Sequence, residues 1–286
     1  MKDIIFKKVW KIISPDIKNL CSPKRGRPAK YSMKKIFKAV CWIMETGSQW
    51  KNLPSEFPPK SVVHYWFQKW SGSGVYDKIH MLLVDILDEH LNLKEEDAKD
   101  DSAKKQELEE NLEEIDFIVD GSFVRSKCGK EETGITKVGK GSKLMAIVNE
   151  VGIPVSIMVT SAQPHESQLV EKTLKNVASL CKPTHLIGDK AYDSASLREN
   201  LKKQHDIDLV APHKQNRVKE PIQDPKLLKK KYHKRNIVEH FFAYLQWARR
   251  CLIRYEKKII NFIGFVMIRV IFIILKKIDY LTIKTK

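Results

Sequence analysis

Apolar residues recur every three or four positions from Met33 to Met44, through Ile36, Phe37, Val40 and Cys41. That spacing predicts a helix, with Pro28 ahead of it, Ser32 able to cap it and Gly47 able to stop it. Ser48 can start a short helical segment carrying Trp50 and Leu53, which Pro54, Pro58 and Pro59 break. Ser61 then opens a helix whose apolar stripe is Val63, Trp66, Phe67 and Trp70, ended by Ser71-Gly72-Ser73-Gly74. Val75 to Leu93 continues as a fourth amphipathic helix. The pattern predicts an all-helical domain over residues 1–93.

Lys94 to Asp116 breaks the pattern, with eleven acidic residues against four basic ones. Such a run reads as a linker, here residues 94–114, or as an exposed helix. Beyond it the period changes. Ile115–Arg125, Lys143–Asn149 and Ile153–Thr160 read as strands, with a glycine-rich turn at Gly139–Gly141 and another at Glu150-Val151-Gly152. Helices are expected over Glu166–Leu180, Ser194–Gln204 and from about Lys230 almost to the end. Short buried strands are expected at His185–Gly188 and Ile207–Val210. Three strands, then alternation, then helices describe an α+β or α/β domain over 115–286, a mixed sheet with helices on its faces. Ile259 to Leu275 is apolar enough to raise the question of a membrane span. It is short, and Asn261 and Arg269 interrupt it, so a buried core helix is expected.

Charge narrows the function. Among 286 residues, 52 Lys and Arg face 35 Asp and Glu, a formal charge of +17. Such a surface seeks polyanions, nucleic acid before anionic membrane. The five cysteines, at 21, 41, 128, 181 and 251, form no close pair. They speak against a disulfide scaffold or a cysteine-rich zinc site and fit a reducing compartment. The first residues, MKDIIFKKVWKII, lack a signal-peptide pattern, so a cytoplasmic location without a membrane partner is expected.

Three carboxylates stand where a sheet presents ligands. Asp120 lies late in the first strand, Asp189 ends the run Leu186-Ile187-Gly188, and Glu239 lies in a helical segment four residues after Arg235. Phosphodiester cleavage by two divalent ions needs converging carboxylates, and hard Mg2+ takes oxygen ligands. The spacing alone leaves a second reading open, in which Asp189 caps a turn and Glu239 only pairs with Arg235.

The residues also match a family. Lys24-Arg25-Gly26-Arg27-Pro28, Thr46-Gly47-Ser48-Gln49-Trp50-Lys51-Asn52-Leu53-Pro54, Val119-Asp120-Gly121-Ser122, Asp189-Lys190-Ala191-Tyr192-Asp193 and Tyr232-x-x-Arg235-x-x-x-Glu239 occur in order. In these stretches the chain resembles the DDE transposases of bacterial insertion sequences, the IS-five group, over nearly its whole length. The resemblance implies a helix-turn-helix-like N-terminal domain and an RNase H-like catalytic domain. It implies a strand transferase using two Mg2+ or Mn2+ ions, with Asp120, Asp189 and Glu239 as catalytic and metal-holding residues. Double-stranded DNA, both the element's terminal repeats and the target, would be the partner, with a homo-oligomer assembled on it. With 49 residues between Asp189 and Glu239, the core should carry no large insertion. The family's signature lysine falls at Gln246, which keeps a hydrogen-bonding group but loses a charge. A catalytically inactive or domesticated DNA-binding descendant is therefore the alternative.

Further candidates surround these motifs. Lys60, His64, Tyr65, Gln68 and Lys69 share a polar helix face that can read the major groove or simply be solvated. Arg25 and Arg27 belong to a basic arm that suits narrow A·T grooves or any DNA. His213 to Arg235 holds nine Lys and Arg against two acids and leads into Glu239. Lys229, Lys230, Lys231 and Arg235 are its expected phosphate contacts, extended by Arg249 and Arg250. Lys190 and Tyr192 can touch phosphate beside Asp189. Asp193 is expected to cap the next helix, and His165 is expected at a strand–helix junction.

Overall fold

The computed structural model describes residues 3–21, 30–98, 115–177, 182–214 and 225–283. Four helices open the chain: α1 (Asp3–Cys21), α2 (Met33–Thr46), α3 (Lys60–Gly72) and α4 (Val75–Ala98), with a 3-10 turn at Trp50–Asn52 between α2 and α3. In α2 the expected stripe is buried from Ile36 to Met44, with Met33 half-buried, and Gly47 closes it in the left-handed conformation (φ 71°), its amide donating to the Ile43 carbonyl. Helix α1 goes beyond the expected elements. It buries Phe6, Val9, Ile13 and Ile17, again at helical spacing. Helix α4 runs on to Ala98, past the expected start of the linker at 94; residues 99–114 lie outside the described residues.

Two compact units divide the chain. One comprises Met1–Leu83, Val124–Ser142 and Ala243–Lys286; the other comprises Val84–Phe123 and Lys143–Phe242.

The first unit is helical. The last helix, Ile259–Ile283, packs on α3, where Phe265 stacks on Phe67 with ring centroids 4.3 Å apart and on Trp50 at 6.2 Å. The approach is close enough that a Cβ on Gly264 would collide with Ser71 Oγ. The end of the 115–286 region thus packs on the first helices, within the same compact unit. The cause is composition: Phe262, Phe265, Val266, Ile268, Val270, Ile271 and Ile274 are all fully buried, and a helix apolar all round must be covered on every side. It is the one described helix long and apolar enough to cross a membrane, and 72% of that window is buried within the protein. Arg269 donates to the Tyr244 carbonyl at 2.8 Å and 3.1 Å, which satisfies the charge inside this unit.

The same unit holds a hairpin, β2 (Gly134–Thr136) against the start of β3 (Gly139–Asn149), antiparallel, with Gly134 opposite Gly141. Gly139–Gly141 is thus strand, and the reversal falls at Lys137-Val138. The expected uninterrupted helix after Lys230 is also broken, by a two-residue strand, Ile253–Arg254, parallel to the end of β1 (Asp116–Ser126).

The second unit is a sheet with β4 (Pro154–Ser161), β3, β1, β5 (His185–Ile187) and β6 (Asp208–Val210) side by side in that order. Strands β1, β5 and β6 are parallel, with Ile118 opposite Ile187 and Ile187 opposite Val210. Ile118, Val119, Leu144, Ile147, Leu186, Ile187 and Val210 are fully buried, so this is a mixed sheet of the expected class. Counted by place in the chain, the strand order is 3-2-1-4-5. The predicted helix from Glu166 is a 3-10 turn, Glu166–Gln168, followed by a single short helix, Val170–Leu174.

Candidate active site

Parallel strands β1 and β5 lie side by side, so chain leaving either one emerges at the same rim of the sheet. Asp120 lies past the paired stretch of β1, and Asp189 follows β5 by one glycine. Each carboxylate is held by backbone: Asp120 Oδ1 accepts from the Gly121 amide at 2.9 Å, and Asp189 Oδ1 accepts from the Ala191 amide at 2.7 Å. Asp189 thereby caps the 3-10 turn Lys190–Tyr192, as the turn-capping alternative for that residue requires. Burial pushes the Asp120 carboxyl up to about 6; the Gly121 amide and Arg235 oppose this, while the charges of Glu166 and Asp189 add to it. Asp120 is therefore a carboxylate that the fold keeps charged only at a cost.

Glu166 is the residue that sequence reasoning missed. It stands at the head of the 3-10 turn after β4, and its Oε2 accepts from the buried Tyr192 hydroxyl at 3.1 Å. Lys143 lies 3.6 Å from its Oε1. Burial and the charges of Glu166, Asp120 and Asp189 all hold Tyr192 in its neutral form. Tyr192 is fully buried, so it is not a phosphate contact; Lys190 beside it is exposed. The only sequence signal for Glu166 was a carboxylate at a strand–turn junction.

Glu239 lies on the helix Asn236–Gln246, its side chain half exposed, with Oε1 2.9 Å from Arg235 Nη2. Arg235 also donates to the Tyr232 hydroxyl at 3.3 Å, so the three residues of the third motif form one connected line. The pairing expected from helical spacing is present, and the Arg235 charge also favours the ionised form of Asp120.

The segment before this helix is anchored from below. Lys231 is 2% exposed, its ammonium 2.6 Å from Asp116 Oδ1 and 3.0 Å from His185 Nδ1. Lys234 bonds Asp116 Oδ2 at 2.6 Å and Glu150 at 3.0 Å. Lys231 is therefore an internal ion-pair partner and not the phosphate contact expected of it; Lys229 and Lys230 remain exposed. Burial opposes ionisation of Asp116, but His185, Lys231 and Lys234 outweigh it and hold its carboxyl well below the usual range.

Other expected residues also find places. Asp193 is buried against Arg198, His213 and the Lys214 amide, while Ser194 caps the following helix. His165 caps the turn at Glu166 by accepting from the Ser167 amide. On α3, Lys60, Tyr65 and Lys69 are exposed, with Lys69 lying 4.9 Å from the Trp66 ring, and Gln68 is partly exposed. His64 packs edge-on to Trp50 at 4.9 Å, and burial together with Lys258 lowers its pKa. Arg250 is buried, bonded to Glu256 and the Ser48 carbonyl, so it too leaves the set of DNA contacts; Arg249 stays exposed. Arg25 and Arg27 lie outside the described residues.

Among the described residues, no three His, Cys, Asp or Glu side chains converge closely enough to enclose an ion. The donor chemistry nevertheless fits a hard divalent cation. Asp120 and Asp189 offer carboxylate oxygens, and the Asp189 charge adds to the rise of Asp120; such a charge excess is what Mg2+ or Mn2+ neutralises. Asp120 and Asp189 would hold it, with Glu239 completing the set.

Comparison with known proteins bears on the family. Residues 7–80 match a family model described as "Putative transposase of IS4/5 family", and residues 112–274 match "Transposase DDE domain". A "Putative transposase for insertion sequence element IS6501" from Brucella ovis is 32% identical over 129 residues, 44% of this chain and 91% of that protein. An "Insertion element IS402 uncharacterized 16.2 kDa protein" from Burkholderia cepacia is 30% identical over 91 residues, 29% of this chain; the match spans 59% of that protein. In fold, the chain is similar to the piggyBac transposase in a synaptic complex with hairpin DNA, at a TM-score of 0.51 and 9% identity, covering 96% of this chain and 72% of that one. The second family model spans more than half of the sequence and includes Asp120, Asp189 and Glu239, and the chain belongs to the DDE transposases of insertion elements.

Proposed function

We propose that the protein binds the ends of an insertion sequence and catalyses DNA strand cleavage and strand transfer with Mg2+ or Mn2+. The observation that carries this reading is Asp120: a carboxyl pushed up to about 6 by burial and by Glu166 and Asp189, in a protein with a charge of +17. Carboxylates that raise one of their number, on a chain otherwise built for polyanions, suit a site that takes cations and phosphate together. When bound, two divalent cations supply the charge that polarises the scissile phosphate and activates the attacking oxygen. Asp120 and Asp189 hold their carboxylates toward that site through backbone amides. Arg235 orients Glu239. Water attacks the phosphorus first, breaking its bond to the 3′ oxygen; the freed 3′-OH then attacks a target phosphodiester and releases that strand's own 3′ oxygen.

The α3 face, with Lys60, Tyr65, Gln68 and Lys69, would read the ends as the second helix of a helix-turn-helix. Lys190, Lys229, Lys230 and Arg249, with Arg25 and Arg27 of the basic arm, would contact phosphate or the minor groove. The protein would act in the cytoplasm as a homo-oligomer on DNA.

The test is supercoiled plasmid carrying the element's ends, incubated with Mg2+. Asp120→Ala, Asp189→Ala and Glu239→Ala should each abolish cleavage and leave end binding largely intact. Cleavage that persists in purified Asp189→Ala protein would overturn the assignment. A second reading, a DNA-binding protein that does not cut, is favoured by the Arg235–Glu239 ion pair and the uncharged Gln246. End binding by the wild-type protein with no nicking in either cation would select it.

A further inference from the structure

Nothing in the three carboxylate motifs gives Glu166 a role, yet its side chain touches both aspartate segments. A Cβ on Gly121, the residue after Asp120, would lie 2.9 Å from Glu166 Cδ and 3.0 Å from its Oε1, so the carboxyl group occupies the space that this glycine leaves. The other oxygen, Oε2, accepts from the Tyr192 hydroxyl at 3.1 Å. Tyr192 closes the turn that Asp189 opens: its amide donates to the Asp189 carbonyl at 3.1 Å. Its ring also lies over Gly188, where a Cβ would meet Cδ2 at 2.7 Å. Lys143 completes the arrangement by donating to the Pro164 carbonyl at 2.7 Å while facing Glu166 at 3.6 Å. A buried phenol must find an acceptor, and the Glu166 carboxylate, itself faced by Lys143, supplies it.

We propose that Glu166 and Tyr192 form a strut between the Asp120 strand and the Asp189 turn, and that Glu166 is a positioning residue setting the separation at which the two aspartates meet a divalent cation. This rests on the reading of Asp120 and Asp189 as cation-holding residues. Glu166 acts through Gly121 and Tyr192, as groups behind a metal's own ligands do.

Three variants separate the strut from a simple contribution of charge. Tyr192→Phe keeps the Glu166 charge and removes the bond. Glu166→Gln removes the charge and keeps a carbonyl oxygen for the Tyr192 hydroxyl. Glu166→Ala removes both. Two quantities are read in full-length, DNA-free protein: hydrogen exchange of the 188–193 turn without cation, and Mn2+ affinity by calorimetry. Tyr192→Phe and Glu166→Ala should exchange faster in the turn and bind Mn2+ roughly tenfold or more weakly. Glu166→Gln should stay close to wild type in both. If Tyr192→Phe matches wild type in both, the strut is overturned. If Glu166→Gln is as weak as Glu166→Ala, the charge and not the strut is what matters, and the proposal also falls. Should Glu166→Ala fail to fold, Tyr192→Phe alone decides. An Asp189→Ala protein that binds Mn2+ like wild type refutes the aspartate reading instead, and the exchange measurement still judges the strut.

Discussion

Lys231 and Asp116 meet inside the protein, Nζ to Oδ1 at 2.6 Å, with side-chain exposures of 2% and 1%. The pair joins the first residue of β1 to the last residue of the helix Pro225–Lys231, and so ties the segment carrying Arg235 and Glu239 to the sheet. Removing Lys231 takes one of two lysines from Asp116 and leaves Lys234 and His185 to match its charge. Lys231→Met should therefore destabilise by about 1.5–3 kcal/mol, the worth of a hydrogen bond to a charged group, read from urea unfolding. Lys229→Ala and Lys230→Ala, both on the exposed side, should leave the unfolding midpoint unchanged. They should also make the salt dependence of DNA binding shallower, by up to about 0.9 for each phosphate no longer neutralised.

The same cluster sets a pH response. The folded pKa of Asp116 lies below its unfolded value, so the folded state binds this proton less readily than the unfolded chain does. Its stabilising contribution is complete above the unfolded pKa of about 3.9 and is lost as pH falls through the folded value. Wild-type stability should drop on acidification below about pH 4, and Asp116→Asn, already weakened at pH 7, should drop less over the same range. Equal acid losses in the two proteins would assign the response to other carboxylates.

Asp120 runs the opposite way. Its carboxyl is pushed up to about 6, so the folded state holds a proton that the unfolded chain has already released, and stability falls as pH rises from about 4 to 6. In cation-free protein at pH 7.5, Asp120→Asn should be more stable than wild type by on the order of 1–3 kcal/mol, with the gain vanishing near pH 4. Thermal midpoints at the two pH values check this.

The proposed reading of DNA ends by α3 supplies a further expectation. If Gln68 reads a base from α3, Gln68→Ala should cost about 1–3 kcal/mol of discrimination between those ends and random DNA and little general affinity. Equal losses on both DNAs would make Gln68 a backbone contact.

Gln246 ends the helix that carries Glu239, about two turns further on. Gln246→Lys adds a charge and restores the family's residue. It should strengthen end binding and leave cleavage equal or faster in the plasmid assay; a clear loss of cleavage would show a site built around an uncharged residue.

Much of this molecule was legible in its residues. Periodicity located α2 and α3, and the apolar runs ending at Asp120 and Asp189 located the paired strands of the site. What escaped notice depended on partners distant in sequence. Gly139–Gly141 looks like a turn because glycine has no strand signal, and pairing with Gly134–Thr136 makes it a strand. Lys231 is one of three consecutive lysines, and only the placement of Asp116 and His185 distinguishes it from Lys229 and Lys230. Glu166 could not be singled out because its role depends on a missing side chain at Gly121 and a phenol at Tyr192, both set by the fold.

The stacking of Phe265 on Phe67 has a consequence for how the protein is made. A ribosome releases α3 almost two hundred residues before it releases the helix that packs on it, and α3 must wait without the Phe265 ring on Phe67 until then. A fragment ending at residue 93 should accordingly fail to fold by itself and recover structure when residues 243–286 are supplied in trans. If α3 reads DNA as proposed, interrupted synthesis would then yield pieces unable to do so, and the reader is complete only after Asp120, Asp189 and Glu239 have been made.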